Sequence, residues 1–329
     1  MALVNKYRPK SWNDVIGQPA VISILQRQVA TRKWKNAYLF CGAYGCGKTT
    51  VARIFANDIN DGQGSPIEID GASNNGVDSI RALIADAQQT SLECNFKVYI
   101  IDECHMITQQ GWNAALKLIE EPPSNSIFIF CTTNPEKLPD TILSRLQRFD
   151  FHKVKNNIIA DKLEFILNEE YNIPYDRDAL DLIASKSQGH VRDAIQFLEK
   201  CIDIGHKIDI ECVTKTLGVI SSVDIMNLIN YLYNKNLEKF IKCLQVIENS
   251  NIDALKFYDD LLSLSIDCSI YNKLNDIDYT NIPKSLEDTL AFPENFIKML
   301  NSRLIKYRQF IDKTNVFIFL KYIALEVCV

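Results

Sequence analysis

A chain of 329 residues is longer than one small core requires and predicts two or three domains, since domains commonly run about 100–150 residues. Its 47% hydrophobic and 23% charged content is ordinary for a soluble globular protein. The net charge of −5 excludes an overall basic field, so any nucleic-acid surface must be local or shared with partner subunits.

The ten cysteines are Cys41, Cys46, Cys94, Cys104, Cys131, Cys201, Cys212, Cys243, Cys268 and Cys328, with no Cys-x-x-Cys pair among them. Scattered thiols inside apolar segments read as buried and reduced, in an intracellular protein, rather than as a metal or disulfide framework. Met1 to Pro9 lacks the apolar core of a signal peptide, and no uninterrupted apolar stretch is long enough to span a bilayer. A cytoplasmic chain without a membrane partner is expected.

Tyr7-Arg8-Pro9 opens an extended segment, followed by Val15-Ile16-Gly17-Gln18 and an amphipathic helix from about Pro19 to Thr31. Ala37 to Phe40 reads as a buried strand, and a helix is expected from Thr50 to Phe55. Between them lies Gly42-Ala43-Tyr44-Gly45-Cys46-Gly47-Lys48-Thr49, which fits the phosphate-loop pattern. Strand, glycine loop and helix N-terminus in that order make an anion site, because free amides and the helix dipole both favour phosphate. Lys48 would reach the β- and γ-phosphates and Thr49 would hold Mg2+.

A loop rich in Asn, Asp, Gly and Ser, from Asp58 to Pro66, leads to a short strand, Ile67 to Asp70, and a second loop at Ser73 to Gly76. Helical periodicity resumes through Val77, Ile80, Arg81, Ile84 and Ala87. Phe96 to Ile101 is the third strand, ending in Asp102-Glu103. An Asp there can hold the water shell of Mg2+, and the adjacent Glu can polarise a water for in-line attack on a γ-phosphate. A helix from Gly111 to Glu121 stops at Pro122-Pro123, which cannot continue it. The fourth strand, Ile127 to Cys131, ends at Thr132-Thr133, where Thr133 is either a contact to the same water or the γ-phosphate, or a helix or turn cap. Ser144-Arg145 precedes a fifth strand at Arg148 to Phe151.

Apolar strands alternating with helices indicate an α/β fold, a parallel sheet covered on both faces with ligands at the carboxyl ends of its strands. After about Lys153 the strand signal gives way to two helical blocks, about 154–215 and about 220 to the end. Leu228, Ile229 and Leu232, the Phe240 to Ile247 run and Leu255 to Ile266 read as amphipathic helices, and Phe317 to Val327 as a candidate buried one.

Four runs together resemble the AAA+ clamp-loader ATPases, in particular the gamma/tau family of bacterial DNA polymerase III. They are Asp102-Glu103-Cys104-His105-Met106, the Asn113-Ala114-Ala115-Leu116-Lys117-Leu118-Ile119-Glu120-Glu121-Pro122-Pro123 run, Thr132-Thr133-Asn134-Pro135-Glu136-Lys137-Leu138-Pro139, and Thr141-Ile142-Leu143-Ser144-Arg145. The likeness is specific across about residues 7–200 and beyond them rests on helix pattern and length.

The resemblance implies an AAA+ P-loop domain at 1–153, a helical lid at 154–215 and an all-α oligomerisation collar at 216–329. It also implies a motor subunit of a pentameric ring that uses ATP to open a sliding clamp and close it on primer-template DNA, beside other clamp-loader subunits. In that resemblance Gly42, Tyr44, Gly45, Cys46, Gly47, Lys48, Thr49 and Thr50 bind ATP phosphates, with Thr49 and Asp102 at Mg2+ and Glu103 as base. Thr133 matches the first sensor and Arg192, in Gly189-His190-Val191-Arg192-Asp193-Ala194, the second. Arg145 matches the arginine finger that enters a neighbour's site, while Tyr7, Arg8, Pro9, Val15 and Ile16 match the segment around adenine. Asn74, Gly76, Arg81, Gln109 and Lys117 match the positions that grip DNA phosphates.

Departures from the family pattern carry their own expectations. Asn57 to Pro66 has no cysteines and no room for the family's four-cysteine module, so no zinc is expected. Ser144-Arg145-Leu146 replaces Ser-Arg-Cys and keeps the arginine. The chain ends soon after the helical block that would form the collar, which suggests a compact, reduced or phage-encoded system. Two rival functions remain. Another DNA-acting AAA+ motor, for branch migration or fork remodelling, is opposed by the Glu-Glu-Pro-Pro run and the Ser-Arg pair; a structural ring subunit that binds ATP without hydrolysing it is opposed by Lys48, Glu103 and Arg145.

Overall fold

A computed structural model describes residues 2–89, 94–171, 173–205, 207–218, 220–249, 252–280, 282, 286 and 292–328. Its elements in chain order begin with α1 (Leu3–Lys6), α2 (Pro19–Thr31), β1 (Ala37–Gly42), α3 (Lys48–Ile59), β2 (Ile67–Asp70), α4 (Val77–Ala87) and β3 (Lys97–Asp102). There follow α5 (Gln109–Glu120), β4 (Ser126–Thr132), α6 (Asp140–Leu143), β5 (Gln147–Phe151), α7 (Asn156–Glu170), α8 (Arg177–Lys186) and α9 (Val191–Ile204). The rest is helical: α10 (Ile210–Leu217), α11 (Ser222–Tyr233), α12 (Leu237–Asn249), α13 (Ala254–Leu274), α14 (Glu294–Arg308) and α15 (Val316–Cys328). These elements fall into two compact units, one of Met1–Asn172 with Lys186–Glu199 and one of Ile173–Ser185 with Lys200–Val329.

The first unit is built on a five-stranded sheet in the order β2-β3-β4-β1-β5, every neighbouring pair parallel. The order follows from the side chains. All seven residues of β4 are buried, and β1 and β3 are buried at all but their ends, so these three take the centre; β2 and β5 have exposed positions and take the edges. Alternate residues of the central strands feed two cores. Leu39, Tyr99, Ile101, Phe128 and Phe130 pack on Ile80 and Leu83 of α4 and on Trp112, Leu118 and Ile119 of α5. On the opposite face Tyr38, Phe40, Ile100, Ile127 and Ile129 pack on Leu25 of α2 and on Val51, Phe55 and Ile59 of α3.

Parallel pairing sets Cys41 beside Thr132, Gly42 beside Phe151 and Asp70 beside Asp102, so the carboxyl ends of β1, β3 and β4 share one edge of the sheet. Here α3 is longer than its motif suggested. It starts at Lys48, because Gly47 at φ +99 forms the turn before it, and runs to Ile59, because Ala56 and Ile59 bury in the second core. Likewise α5 starts at Gln109, two residues before Gly111, since Thr108 caps it by accepting a 3.2 Å hydrogen bond from the Gly111 amide.

The second unit holds the all-helical remainder, with a core drawn from α11 to α15. Tyr258 of α13 donates a 2.8 Å hydrogen bond to the Leu304 carbonyl of α14, and Arg308 of α14 holds Asp259 through both carboxylate oxygens. Capped by Asp253, α13 continues to Leu274, eight residues beyond the apolar run that signalled it. The apolar C-terminal helix is only half covered: Leu320, Ile323, Ala324 and Val327 of α15 are buried, while Ile318, Tyr322 and Leu325 face outward. No single helix among the described residues is long and apolar enough to cross a membrane.

Candidate active site

One pocket opens at the carboxyl ends of β1 and β3. Its floor is the turn between β1 and α3. Gly42 ends β1 where a Cβ would stand 2.4 Å from the Phe151 carbonyl oxygen, so only glycine lets β5 lie this close. Lys48, at the first position of α3 and only 6% exposed, folds its ammonium back onto the turn, 2.9 Å from the carbonyls of both Gly42 and Ala43. The Cys46 thiol, buried and with its pKa raised by that burial, donates to the Ala43 carbonyl at 2.8 Å and serves as packing. A Cβ added to Gly47 would meet nothing within 4 Å, so the cradle stands open in front of the α3 amides. Such a cradle fits a phosphate group.

The acidic side of the pocket comes from β3. Thr49 Oγ1 donates a 2.7 Å hydrogen bond to Asp102 Oδ2, and Asp102 Oδ1 accepts one of 3.0 Å from the Glu103 amide. A hydroxyl and a carboxylate meeting beside a phosphate cradle are the oxygen donors that Mg2+ takes. Glu103 sits in the left-handed region at φ +45, which turns its side chain off the strand. Its Oε2 accepts a 3.1 Å hydrogen bond from Thr133 and lies 3.3 Å from His105 Nδ1, which is itself 3.1 Å from Thr132 Oγ1. A carboxylate anchored this way at one oxygen is suited to take a proton from a water.

Arg192, near the start of α9, stacks its guanidinium over the Tyr44 ring with Cζ 5.4 Å from the ring centre. At the other end of the pocket Tyr7 donates a 2.6 Å hydrogen bond to Glu170, and burial followed by that bond pushes its phenol pKa up. Pro9, Val15 and Ile16 line the same end.

Thus the pocket gathers the expected Tyr7, Arg8, Pro9, Val15 and Ile16 with Tyr44 through Thr50, Asp102, Glu103 and Arg192. Gly42 and Thr133 support it from beneath Lys48 and Glu103. Arg145 is elsewhere: its guanidinium is held by Glu120 at 2.6 Å and by the Thr141 carbonyl, with the side chain 38% exposed. Motif reading missed Val4, Asn5, Asp14, Lys162, Val191 and Ile195, which also line the pocket. Of these, Val191 and Ile195 stand four apart on α9 beside Arg192, a helical spacing visible in the sequence; Lys162 on α7 belongs to no motif. The Lys162 ammonium lies 4.9 Å from the centre of the Phe165 ring, and burial lowers its pKa.

Of the positions expected to meet DNA, Gly76 and Gln109 lie at helix starts, Arg81 lies within α4 and Lys117 in the last turn of α5. Gly76 precedes the first residue of α4, Gln109 opens α5, and the two ends are joined by a 3.1 Å bond from the Thr108 amide to the Asn75 carbonyl. Asn74 and Lys117 are exposed, and Arg81 is exposed with its guanidinium 3.3 Å from Asp78. The ten cysteines are all free thiols; six are buried and four partly so. Burial raises the Cys41 pKa to about 11 and those of Cys201 and Cys268 to about 12. Among the described residues no group of three or more His, Cys, Asp or Glu side chains is arranged to hold a metal ion.

Sequence comparison gives 36% identity over 305 residues with DNA polymerase III subunit gamma of Buchnera aphidicola, covering 84% of this chain and 82% of that protein. This chain belongs to the gamma/tau family of DNA polymerase III subunits. A longer family member, DNA polymerase III subunit tau of Bacillus subtilis, is 35% identical over 292 residues; the match covers 82% of this chain and 52% of that protein. Two family models divide the chain where β5 gives way to α7. The one described as DNA polymerase III, delta subunit, matches residues 65–155, and the one described as DNA polymerase III clamp loader subunit, ATPase lid domain, matches 158–207. Among solved structures the Holliday junction branch migration motor RuvB of Thermotoga maritima aligns with a TM-score of 0.55 over 69% of this chain and 79% of its own, at 20% identity. That likeness places the gamma/tau chain in the AAA+ fold, an α/β sheet domain with a helical C-terminal region.

Proposed function

We propose that this chain is an ATPase motor subunit of a DNA sliding-clamp loader, with an AAA+ domain at 1–153, a helical lid at 154–215 and an oligomerisation collar at 216–329. The proposal rests on the convergence of Lys48, the Thr49–Asp102 hydrogen bond and Glu103 held by Thr133 in one pocket, within a chain of the gamma/tau family. The α3 amides and Lys48 hold the β- and γ-phosphates of ATP, and Tyr7, Pro9, Val15 and Ile16 enclose the base. Thr49 and Asp102 hold Mg2+, which when bound neutralises phosphate charge. Glu103 takes the proton of a water attacking the γ-phosphorus. Thr133 positions that carboxylate through the 3.1 Å hydrogen bond, and Arg192 reaches the γ-phosphate from α9.

Arg145 acts in trans. Its guanidinium is tied to Glu120 on the surface and does not line this pocket, which suits a finger that completes a neighbouring subunit's site. Phosphoryl transfer gains about 10³–10⁵ in rate from such a charge, so hydrolysis depends on assembly. The uncovered Ile318, Tyr322 and Leu325 of α15 suit a collar that packs against other subunits in a pentameric ring. Primer-template DNA meets the exposed starts of α4 and α5, where amides bind phosphate without a basic field. No zinc takes part.

The experiment is phosphate release by the assembled loader with its sliding clamp, with primed DNA, and with both. Clamp and DNA together should raise turnover several-fold over either alone. Turnover indifferent to both, accompanied by duplex unwinding or junction migration without a clamp, would transfer the chain to another class of DNA motor.

A further inference from the structure

We propose that Arg8 binds the α-phosphate of the nucleotide, and so belongs to the phosphate-binding set rather than to the enclosure of the base; this rests on the nucleotide reading above. Tyr7 and Arg8 are consecutive but their side chains diverge. Tyr7 turns to α7, hydrogen-bonded to Glu170 and edge-on to the Phe165 ring at 6.4 Å. Arg8 turns to α3, where its Nε donates a 3.3 Å hydrogen bond to Thr50 Oγ1. Thr50 is the third residue of α3, in the first turn, whose amides have no helical partner and point to the cradle. The guanidinium therefore stands between the Tyr7 end of the pocket and the first turn of α3, the stretch that the phosphate attached to the ribose would cross if the base lies at the Tyr7 end and the outer phosphates at Lys48.

Charge leads to the same place. Arg8 lines the pocket half-buried, and among the described residues no carboxylate is within ion-pairing distance of it. The carboxylates whose charge reaches it are engaged elsewhere, Glu68 with Arg53 and Asp102 with Thr49 and the Glu103 amide. Arg53 and Arg192 add like charge, and burial lowers the guanidinium's pKa. A partly desolvated cation among cations, beside free helix amides, is stabilised by an anion, and its planar fork matches two oxygens of one phosphate.

The test measures binding of fluorescent ATP and ADP to the full chain and to Arg8→Ala and Arg8→Lys variants whose melting temperature matches wild type. An α-phosphate contact is common to both nucleotides. Arg8→Ala should weaken ATP and ADP alike, about 10- to 100-fold, and Arg8→Lys should recover part of that loss. Wild type should also prefer one diastereomer of ATP carrying sulfur on the α-phosphate, measured in EDTA so that no metal contributes, and Arg8→Ala should lose the preference. If Arg8→Ala does not fold, the reduced preference is read in Arg8→Lys.

Loss of ATP affinity alone would move Arg8 to the γ-phosphate and overturn the assignment. An unchanged diastereomer preference, equal binding of both diastereomers by wild type, or wild-type affinity in Arg8→Ala would also overturn it. If the wild-type chain binds no adenine nucleotide, the reading of the site itself falls; if wild type binds and Arg8→Ala binds equally, only the role of Arg8 falls.

Discussion

Thr49 donates its hydroxyl proton to Asp102 across 2.7 Å, joining the first turn of α3 to the last residue of β3. The two residues are 53 positions apart, and the bond exists only because β1 and β3 flank β4 in parallel and finish on the same edge of the sheet. The oxygen donors proposed for Mg2+ are thus pre-positioned by strand order, and the Glu103 amide at 3.0 Å fixes the second oxygen of Asp102.

Asp102→Asn keeps an acceptor for Thr49 and removes the charge. Nucleotide affinity in EDTA should stay within about threefold of wild type, while the tightening that Mg2+ brings should shrink about tenfold or more. Titration of ATP with and without Mg2+ reads both quantities. Equal tightening in the variant and wild type would remove Asp102 from the metal site.

Glu103→Gln separates binding from turnover. The amide oxygen can still accept from Thr133, so the pocket should keep its shape, but the side chain can no longer take a proton. ATP affinity is expected to hold while phosphate release falls by about 10²–10⁴. A variant that hydrolyses at the wild-type rate would leave the chain without a base at this position.

For Arg145 the decisive measurement is complementation. Arg145→Ala subunits should bind ATP normally, since the residue lies off the pocket, but lose about 10³ or more of turnover once assembled. Mixing them with Glu103→Gln subunits should restore part of the rate, because some sites then combine an intact Glu103 with a neighbour's intact Arg145. Absence of any recovery would rule out action in trans.

Much of this site was legible because its chemistry comes in short runs. The β1 turn, Asp102-Glu103 and Thr133 are each read at a strand end, and uniformly apolar strands identify the buried centre of a parallel sheet. Lys162 and Asp14 were not legible as pocket residues: the spacing from Ser11 to Asp14 marks a local cap and that from Lys162 to Phe165 a helix-face contact, and only the fold turns both toward the pocket. The direction of Arg8 was equally hidden, since two consecutive residues just after α1 turn to different helices only when both helices are in place. The outward stripe of α15 was hidden for another reason. A helix apolar on every side reads as buried, and whether its second face is covered by the same chain or another is a matter of assembly.

The link between α4 and β3 makes an acid-sensitive prediction. Asp86, near the end of α4, accepts a 2.5 Å hydrogen bond from the Tyr99 hydroxyl and one of 3.0 Å from Lys97, and these, Tyr99 first, hold its carboxyl below the usual carboxylate range. A carboxyl with a depressed pKa in the fold stabilises it fully above its unfolded pKa, near 4, and loses that contribution as pH falls through the folded value. Because the Asp86 side chain is 46% exposed, solvent screening limits the effect to about 1 kcal/mol or less. Thermal melts of wild type and Asp86→Asn from pH 7 to pH 3 should therefore differ most at neutral pH, wild type melting higher, and converge as the medium turns acid. A gap that stays constant across that range would assign the contribution of Asp86 to its shape and neutral hydrogen bonds instead of its charge.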